Sequence, residues 1–407
     1  MSWEKVKLDE LYEVHNGLSK GRQFFGSGHP FLSFSTVFNN YFIPPELYDL
    51  VESTEKEQKD YSILRGDVFV TRTSETSNEL GMSCVALKDY PNATYNGFTK
   101  RMRPQNPERV LPEYIGYYMR LPSFRGKFQA FSTMTTRASL RNEDLLSLTV
   151  LLPPADTQKR IADILFSYDK LIENNQKQIK LLEEAAQRLY KEWFVDLHYP
   201  GYEITPIING IPEGWSRGSA DSYFDITIGK TPPRAESQWF TDMNNGIPWV
   251  SISDMGDSNT YLFETSEGLT EEAVKRHNVK IVPAGTVLLS FKLTVGRVSI
   301  ASTDVCTNEA IAHFRINDER DREYVYCYLT NYHYDSLGST SSISKAVNSK
   351  IIKAMPFVMP NKELLAKFSK IASPIFEEIR IKQKMCLDLK QARDRLLPKL
   401  MSGELEV

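Results

Sequence analysis

The sequence predicts an α+β chain: two pseudo-twofold-related α/β domains, separated by two long antiparallel spacer helices that form a coiled coil. Three observations predict it. The chain repeats itself once, each repeat carries short β runs and short amphipathic helices, and each ends in a glycine-free heptad stretch of about 40 residues. The expected boundaries are 1–153 for the first domain, 154–200 for the first helix, 201–358 for the second domain and 359–407 for the second helix.

The repeat period is a little over 200 residues, which means domain duplication and not a solenoid. Each half opens on a tryptophan followed 14 residues later by a glycine, Trp3 to Gly17 and Trp215 to Gly229. An aromatic strand then follows a Gly–x–Pro turn, Gly28-His29-Pro30-Phe31-Leu32 in one half and Gly246-Ile247-Pro248-Trp249-Val250 in the other. Gly66-Asp67-Val68-Phe69-Val70 matches Gly285-Thr286-Val287-Leu288-Leu289, and Asn96 matches Asn308. Short helices begin around Tyr114-Ile115 and Tyr324-Val325. The closing segments align best: Leu140, Leu145, Leu148, Val150 and Leu152 fall on Val347, Ile352, Met355, Phe357 and Met359.

The long helices follow. From Gln158 to about Leu197 there is no Gly or Pro, with Asp156 or Thr157 as N-cap and Pro200-Gly201 as the break. The second helix runs from about Lys362 to Met401, with Pro374 as a potential kink. One heptad column of the first helix is Leu165, Ile172, Ile179, Ala186, Trp193; the other is Ile161, Tyr168, Asn175, Leu182, Leu189. A shift of 207 gives Ala372, Ile379, Cys386, Arg393, Leu400 and Phe368, Ile375, Lys382, Leu389, Leu396, in which Arg393 is a polar intrusion. Asn175 and Lys382 hold the same central repeat position. They meet only if the helices pack antiparallel, and the expectation is that they form a polar layer fixing the register.

Composition narrows the function. Net charge is −3, so the chain is not a strongly basic free-standing nucleic-acid binder. The four cysteines Cys84, Cys306, Cys327 and Cys386 form no CxxC pair, and no His lies at metal-ligand spacing. No signal-peptide core opens the chain and no run of about 18 apolar residues occurs, so a cytoplasmic protein is expected. Gly229-Lys230-Thr231 lacks the upstream glycine of a phosphate-binding loop, since Phe224 stands there. No recognisable hydrolase, zincin, methyltransferase or dinucleotide motif is present, so the chain is expected to be non-catalytic and to contain no metal.

What remains is polar, basic loop material suited to DNA. A hydroxyl-rich segment with one cation precedes the last strand of each half: Thr135, Thr136 and Arg137 in one, Ser341, Ser342 and Lys345 in the other. Lys20, Arg22 and Gln23 follow the first matched glycine; Lys230 and Arg234 follow the second. Arg72 and Thr73, Lys100 and Arg101 of the basic cluster Lys100, Arg101 and Arg103, Ser253 and Lys292 complete the candidates. Arg and Gln are the usual bidentate readers of guanine and adenine, while small hydroxyls and cations bond phosphates. A helix of 40 residues spans about 60 Å, against about 34–36 Å for a duplex turn. An antiparallel pair of such helices therefore suits a split site with two half-sites.

Several segments together resemble the specificity subunits of type I restriction-modification systems. They are GKTPPRAESQWF…NNGIPWVSISDM (Gly229 to Met255), GTVLLSFKLTVGRVSIA (Gly285 to Ala301) with Asn308-Glu309-Ala310-Ile311-Ala312, LLPPADTQKRIADIL (Leu151 to Leu165), Glu192-Trp193-Phe194-Val195-Asp196 and RLLPKLMSGEL (Arg395 to Leu405). The likeness covers nearly the whole chain. The first domain departs in SFSTVFNN and in the longer TRTSETSNELG, which bears on base assignment more than on family. The resemblance implies two target recognition domains reading a bipartite asymmetric DNA site. It implies two modification (methyltransferase) subunits docked along the helices and restriction (translocase/nuclease) subunits added to them. S-adenosylmethionine, ATP and Mg would sit on those partners and none on this chain. Tyr190, Trp193 and Phe194 are the candidate partner-binding residues, with packing between helix and domain inside the chain as the alternative. The alternative is a stand-alone, repressor-like DNA-binding protein, which the near-neutral charge disfavours; a self-sufficient enzyme and a helical adaptor are further from the pattern.

Overall fold

The structure is a computed structural model of the 407-residue chain and describes residues 3–74, 80–129, 138–256, 260–337 and 347–407. It divides into two compact units, Met1–Leu171 with Leu389–Val407, and Ile172–Asp388. Each unit is α+β and holds a segment of both long helices.

In the first unit an antiparallel sheet runs Tyr12–Asn16, Thr99–Pro104, Val68–Thr71, Ser83–Val85. In the second, Asp225–Ile228, Ile311–Arg315, Val287–Ser290 and Val298–Ala301 pair in the same order, and Tyr261–Leu262 adds a parallel edge. Val68-Phe69-Val70 and Val287-Leu288-Leu289 are continuous apolar runs because their strands are buried on both faces.

The smaller sheets repeat as well. Phe31-Leu32 runs parallel to Thr94-Tyr95, as Trp249-Val250 does to Cys306-Thr307. The opening strand of each repeat pairs with the closing one, Glu4–Lys7 with Thr149–Leu152 and Ser216–Ser219 with Pro356–Met359. The five aligned apolar pairs of the closing segments are all buried. Tyr114 and Tyr324, on helices Pro112–Tyr118 and Arg322–Asn331, each donate a phenol hydrogen bond to that closing strand, to the carbonyls of Leu151 (2.8 Å) and Val358 (2.6 Å).

The first long helix is Ala155–Tyr190, closed by a π turn over Lys191–Val195; the second is Lys362–Ser402. The first begins before the expected cap, so Asp156 lies in its first turn, where a negative charge suits the helix dipole. Pro374 does not end the second helix, and neither does Pro398. In both helices one heptad column is buried, with half-buried Arg393 as its exception, and the other is half-buried except at Ile161, Asn175 and Phe368.

Within each unit the two helix segments run antiparallel. In the first, Ile161 and Leu165 share a core with Leu397, Leu400 and Met401, and Asp169 pairs with Arg393. In the second, Cys386 Sγ lies 3.7 Å from the carbonyl oxygen of Ile172, and the Trp193 and Phe368 rings are 5.9 Å apart. Asn175, one turn from Ile172, is buried; Lys382, one turn from Cys386, is half-buried and paired to Glu378 at 2.9 Å.

The helices also carry the domains. Buried Gln158 accepts from the Leu111 N–H at 2.9 Å and donates to the carbonyls of Arg109 and Pro153. In the second unit the Gln383 amide oxygen accepts from Tyr261 N at 3.0 Å, and Glu183 accepts from the Thr260 hydroxyl at 2.5 Å.

Arg393, the intrusion in the heptad column, is explained by its partners. Its guanidinium pairs with Asp169 and Asp394 and lies 5.2 Å from the Tyr41 ring, while the Tyr117 hydroxyl donates to Asp169. Arg393→Met keeps the apolar stem but leaves Asp169, only 26 % exposed, without its cation. A loss of about 1–3 kcal/mol is expected from the unpaired carboxylate. Adding Asp169→Asn should recover most of it, which a double-mutant cycle in urea will measure.

Candidate nucleic-acid interface

The two matched glycines organise the loops of each unit. A Cβ on Gly17 would lie 2.0 Å from the Asn96 carbonyl oxygen; one on Gly229 would lie 2.0 Å from Thr307 Oγ1 and 2.2 Å from the Asn308 carbonyl oxygen. Only a glycine lets these two chain segments pass so closely. The loop after each glycine is thereby pressed against the Asn96–Phe98 or Asn308–Ala310 turn.

In the second unit three loops converge. In the first of them, Lys230 is exposed, and its ammonium donates to the His277 carbonyl at 2.6 Å. The Arg234 guanidinium lies 4.2 Å from the Phe240 ring and 4.6 Å from that of Trp249, and pairs with Glu267 at 2.7 Å. Its side chain is still 51 % exposed, so it is oriented by stacking and open to a ligand. In the second loop Ser253 is exposed, with its Oγ 2.6 Å from that of Ser251. The third loop carries exposed Lys292, 5.8 Å over the Phe291 ring. Arg297 ties the third loop to the second through the Ile252 carbonyl at 2.8 Å. Glu309 joins the first and third: the Thr231 hydroxyl bonds its carboxylate and holds it below the usual range, with Lys292 and Arg234 adding to the effect.

The first unit uses different side chains. Lys20 is engaged internally, donating to the Glu52 carbonyl at 2.6 Å and pairing with Glu57 at 2.8 Å. Arg22 and Gln23 are exposed. Arg72 is half-buried, with Nη1 3.4 Å from Asn16 Oδ1 and its backbone N–H on the Phe98 carbonyl. Half-buried Thr73 pairs with Ser139 in a short ladder.

Lys100 and Arg101 need correction as a DNA-facing cluster. They sit on the core strand Thr99–Pro104, and Arg101 is only 4 % exposed. Its guanidinium donates to the Ser62 carbonyl at 2.8 Å and lies 5.5 Å from the Tyr95 ring; Lys100, also buried, donates to Asn142. Burial lowers the pKa of both. The pairing His15↔Arg101 corresponds to Thr227↔His313, and His313 is likewise fully buried. The position belongs to the interior in both repeats.

Tyr190, Trp193 and Phe194 need the same correction as a partner surface. All three point inward, Tyr190 from the last turn of the α-helix and Trp193 and Phe194 from the π turn: Phe194 lies 4.7 Å from Tyr324 and 4.9 Å from Phe368, ring to ring, and Tyr190 lies 5.8 Å from Tyr324. Tyr190 and Phe194 line a cavity of about 680 Å³ with Trp215, Arg217 and Tyr328. Thr135, Thr136, Arg137, Ser341, Ser342 and Lys345 lie outside the described residues.

Sequence reading missed the exposed apolar side chains beside these loops: Phe24 and Phe25, Phe98 at 56 % and Leu293 at 97 % exposure. Large apolar residues default to the interior, so no signal in the sequence singled them out. Among the described residues no cluster of His, Cys, Asp and Glu forms a metal site, and no helix is long and apolar enough to cross a membrane.

Known proteins share this pattern. The family described as "Type I restriction modification DNA specificity domain" matches residues 1–184 and 212–389. The MjaIX specificity subunit of Methanocaldococcus jannaschii is 26 % identical over 423 residues, covering 100 % of this chain and 94 % of that protein. The HindI specificity subunit of Haemophilus influenzae is 24 % identical over 472 residues, covering 99 % of each. A crystal structure of a type I restriction-modification S subunit from M. genitalium superposes with a TM-score of 0.57 at 14 % identity, over 98 % of this chain and 96 % of that one. With both repeats matched, the chain belongs to the type I restriction-modification specificity-subunit family.

Proposed function

We propose that this chain reads a bipartite, asymmetric DNA site for a type I restriction-modification assembly, one half-site per unit. The carrying observation is a duplicated framework with diverged loops: the same close approach at Gly17 and Gly229, but Arg22 and Gln23 displayed after one and Lys230 and Arg234 after the other. A conserved scaffold with unlike reading groups suits two unlike half-sites. Arg22, Gln23, Arg72 and Thr73 are the proposed contacts of the first unit; Lys230, Arg234, Ser253 and Lys292 are those of the second. The segments with Thr135, Thr136 and Arg137, and with Ser341, Ser342 and Lys345, are assigned to the same task. Lys20 holds its loop. Asn175 and Lys382 form the polar layer fixing helix register.

Two modification subunits and the restriction subunits complete the assembly in the cytoplasm. S-adenosylmethionine, ATP and Mg belong to them, and the chemistry with them. The net charge of −3 fits this division, since partners that clamp the duplex share the phosphate contacts.

The test is co-expression with the neighbouring modification subunit and single-molecule mapping of adenine methylation. A split motif with a fixed gap, absent without this chain, is expected; exchanging residues 1–150 should change one half only. A stable complex that methylates nothing, or an unsplit motif, overturns the reading.

A further inference from the structure

We infer that Leu293 is a base-reading residue of the second unit, packing its side chain on the C5-methyl group of a thymine in the major groove. The inference rests on the DNA-reading function proposed above and assigns it a specificity residue.

Leu293 lies in the loop between strands Val287–Ser290 and Val298–Ala301. The base of this loop is stitched. Gly296 N–H donates to the Ser290 carbonyl at 2.9 Å; the buried Ser290 hydroxyl donates to the Thr294 carbonyl at 2.6 Å and accepts from Arg297 N–H at 3.0 Å. Phe291 is buried, and its N–H donates to the Ala310 carbonyl at 2.9 Å. Gly296 adopts φ 94° against the Tyr334 ring, where a Cβ would come within 3.1 Å.

Above this base the chain turns outward. Lys292, Leu293, Thr294 and Val295 are all exposed, and Leu293, at 97 %, has a positive φ of 59°. The left-handed region is unfavourable for leucine, and full exposure of its side chain gains nothing from burial. A loop held this firmly, with an aliphatic side chain raised on strained backbone, gains no packing within the chain from that residue. A contact made on binding supplies it.

The surroundings name the ligand. Lys292 precedes the leucine, with its ammonium 5.8 Å over the Phe291 ring, and Arg297 follows it at the base of the loop, with its guanidinium on the Ile252 carbonyl at 2.8 Å, so a cation stands on either side of Leu293 in the chain. Cations beside an exposed aliphatic tip fit a polyanion with an apolar group in its groove. Among the base edges of the major groove the thymine methyl is the apolar group. A wedge between base steps is the other use of such a side chain, but it kinks the duplex.

The experiment uses the assembled methyltransferase, with this chain, on duplexes carrying its mapped site. Each thymine is replaced singly by uracil, which removes the methyl alone. At one thymine the wild-type methylation rate at subsaturating duplex should fall roughly fivefold to tenfold. Leu293→Ala should reach that lower rate on the thymine duplex and be indifferent to uracil there. Indifference of the wild type to every uracil, undiminished sensitivity of Leu293→Ala, or a site without thymine on the second unit's half overturns the assignment. So does a Leu293-dependent kink, measured by fluorescence, without a uracil effect. If wild-type assembly methylates no duplex at all, the DNA-reading function fails first and this assignment falls with it.

Discussion

Gly229→Ala will unfold the second unit's loop framework while leaving the first unit's sheet protected. The added Cβ meets Thr307 Oγ1 at 2.0 Å and the Asn308 backbone oxygen at 2.2 Å. The threonine hydroxyl could rotate away, but the carbonyl is part of the turn and cannot. Asn308 N–H donates to the Val250 carbonyl at 2.9 Å, and the Gly229 N–H donates to Ile311 at 3.2 Å, so relieving the clash breaks one ladder or the other. Overpacking with backbone displacement costs about 3 kcal/mol or more. Hydrogen exchange should then accelerate in strands Asp225–Ile228 and Ile311–Arg315 and stay slow in Tyr12–Asn16 and Thr99–Pro104. Gly126 is the control: it lies inside helix Pro122–Gln129, where a Cβ meets nothing within 4 Å. Gly126→Ala should be neutral or stabilise by about 0.5–1 kcal/mol. Equal protection in Gly229→Ala and the wild type would contradict the close approach.

This pair of glycines also marks what was legible in the sequence. Glycine spacing, alternating apolar runs and the heptads are local periodic signals, and they survive in both repeats because each feeds a buried ladder or seam. Lys100 and Arg101 were illegible because a charge in a β run reads as surface. Only pairing shows that Arg101 lies opposite His15, inside the sheet, with the Ser62 carbonyl as its partner. Tyr190, Trp193 and Phe194 failed differently. A helical aromatic stripe looks the same whether it faces a partner or its own domain, and the π turn that carries Trp193 and Phe194 has no sequence mark. Leu293 was passed over for the converse reason: hydrophobicity predicts burial, while its exposure follows from a loop geometry that only Ser290 and Gly296 define.

The second large effect concerns His313. It is fully buried, with Nδ1 2.9 Å from Thr227 Oγ1 and Nε2 2.7 Å from Thr307 Oγ1. Those two threonines lie on the strands just before Gly229 and Asn308, so the imidazole fastens the paired segments on which the Gly229 loop stands. A neutral ring serves both contacts, donating from one nitrogen and accepting at the other. Burial lowers its pKa from 6.5 to about 4. Between these values the unfolded chain binds a proton that the folded one refuses. The contribution of His313 is therefore complete above about pH 6.5 and is lost progressively as pH falls toward 4. At 1.36 kcal/mol per pKa unit this amounts to about 3 kcal/mol. Glu183 and Asp321, whose pKa values burial raises, oppose the trend, so the informative quantity is a difference between variants. His313→Gln should be less stable than the wild type at pH 7.5, and the gap should narrow by about 2.5 kcal/mol on going to pH 4.5, most of the full effect. Urea midpoints across that range will read it. A gap that stays constant with pH would show that His313 takes up its proton as readily in the folded chain as in the unfolded one, and a gap that widens on acidification would show that the ring is already charged in the folded chain.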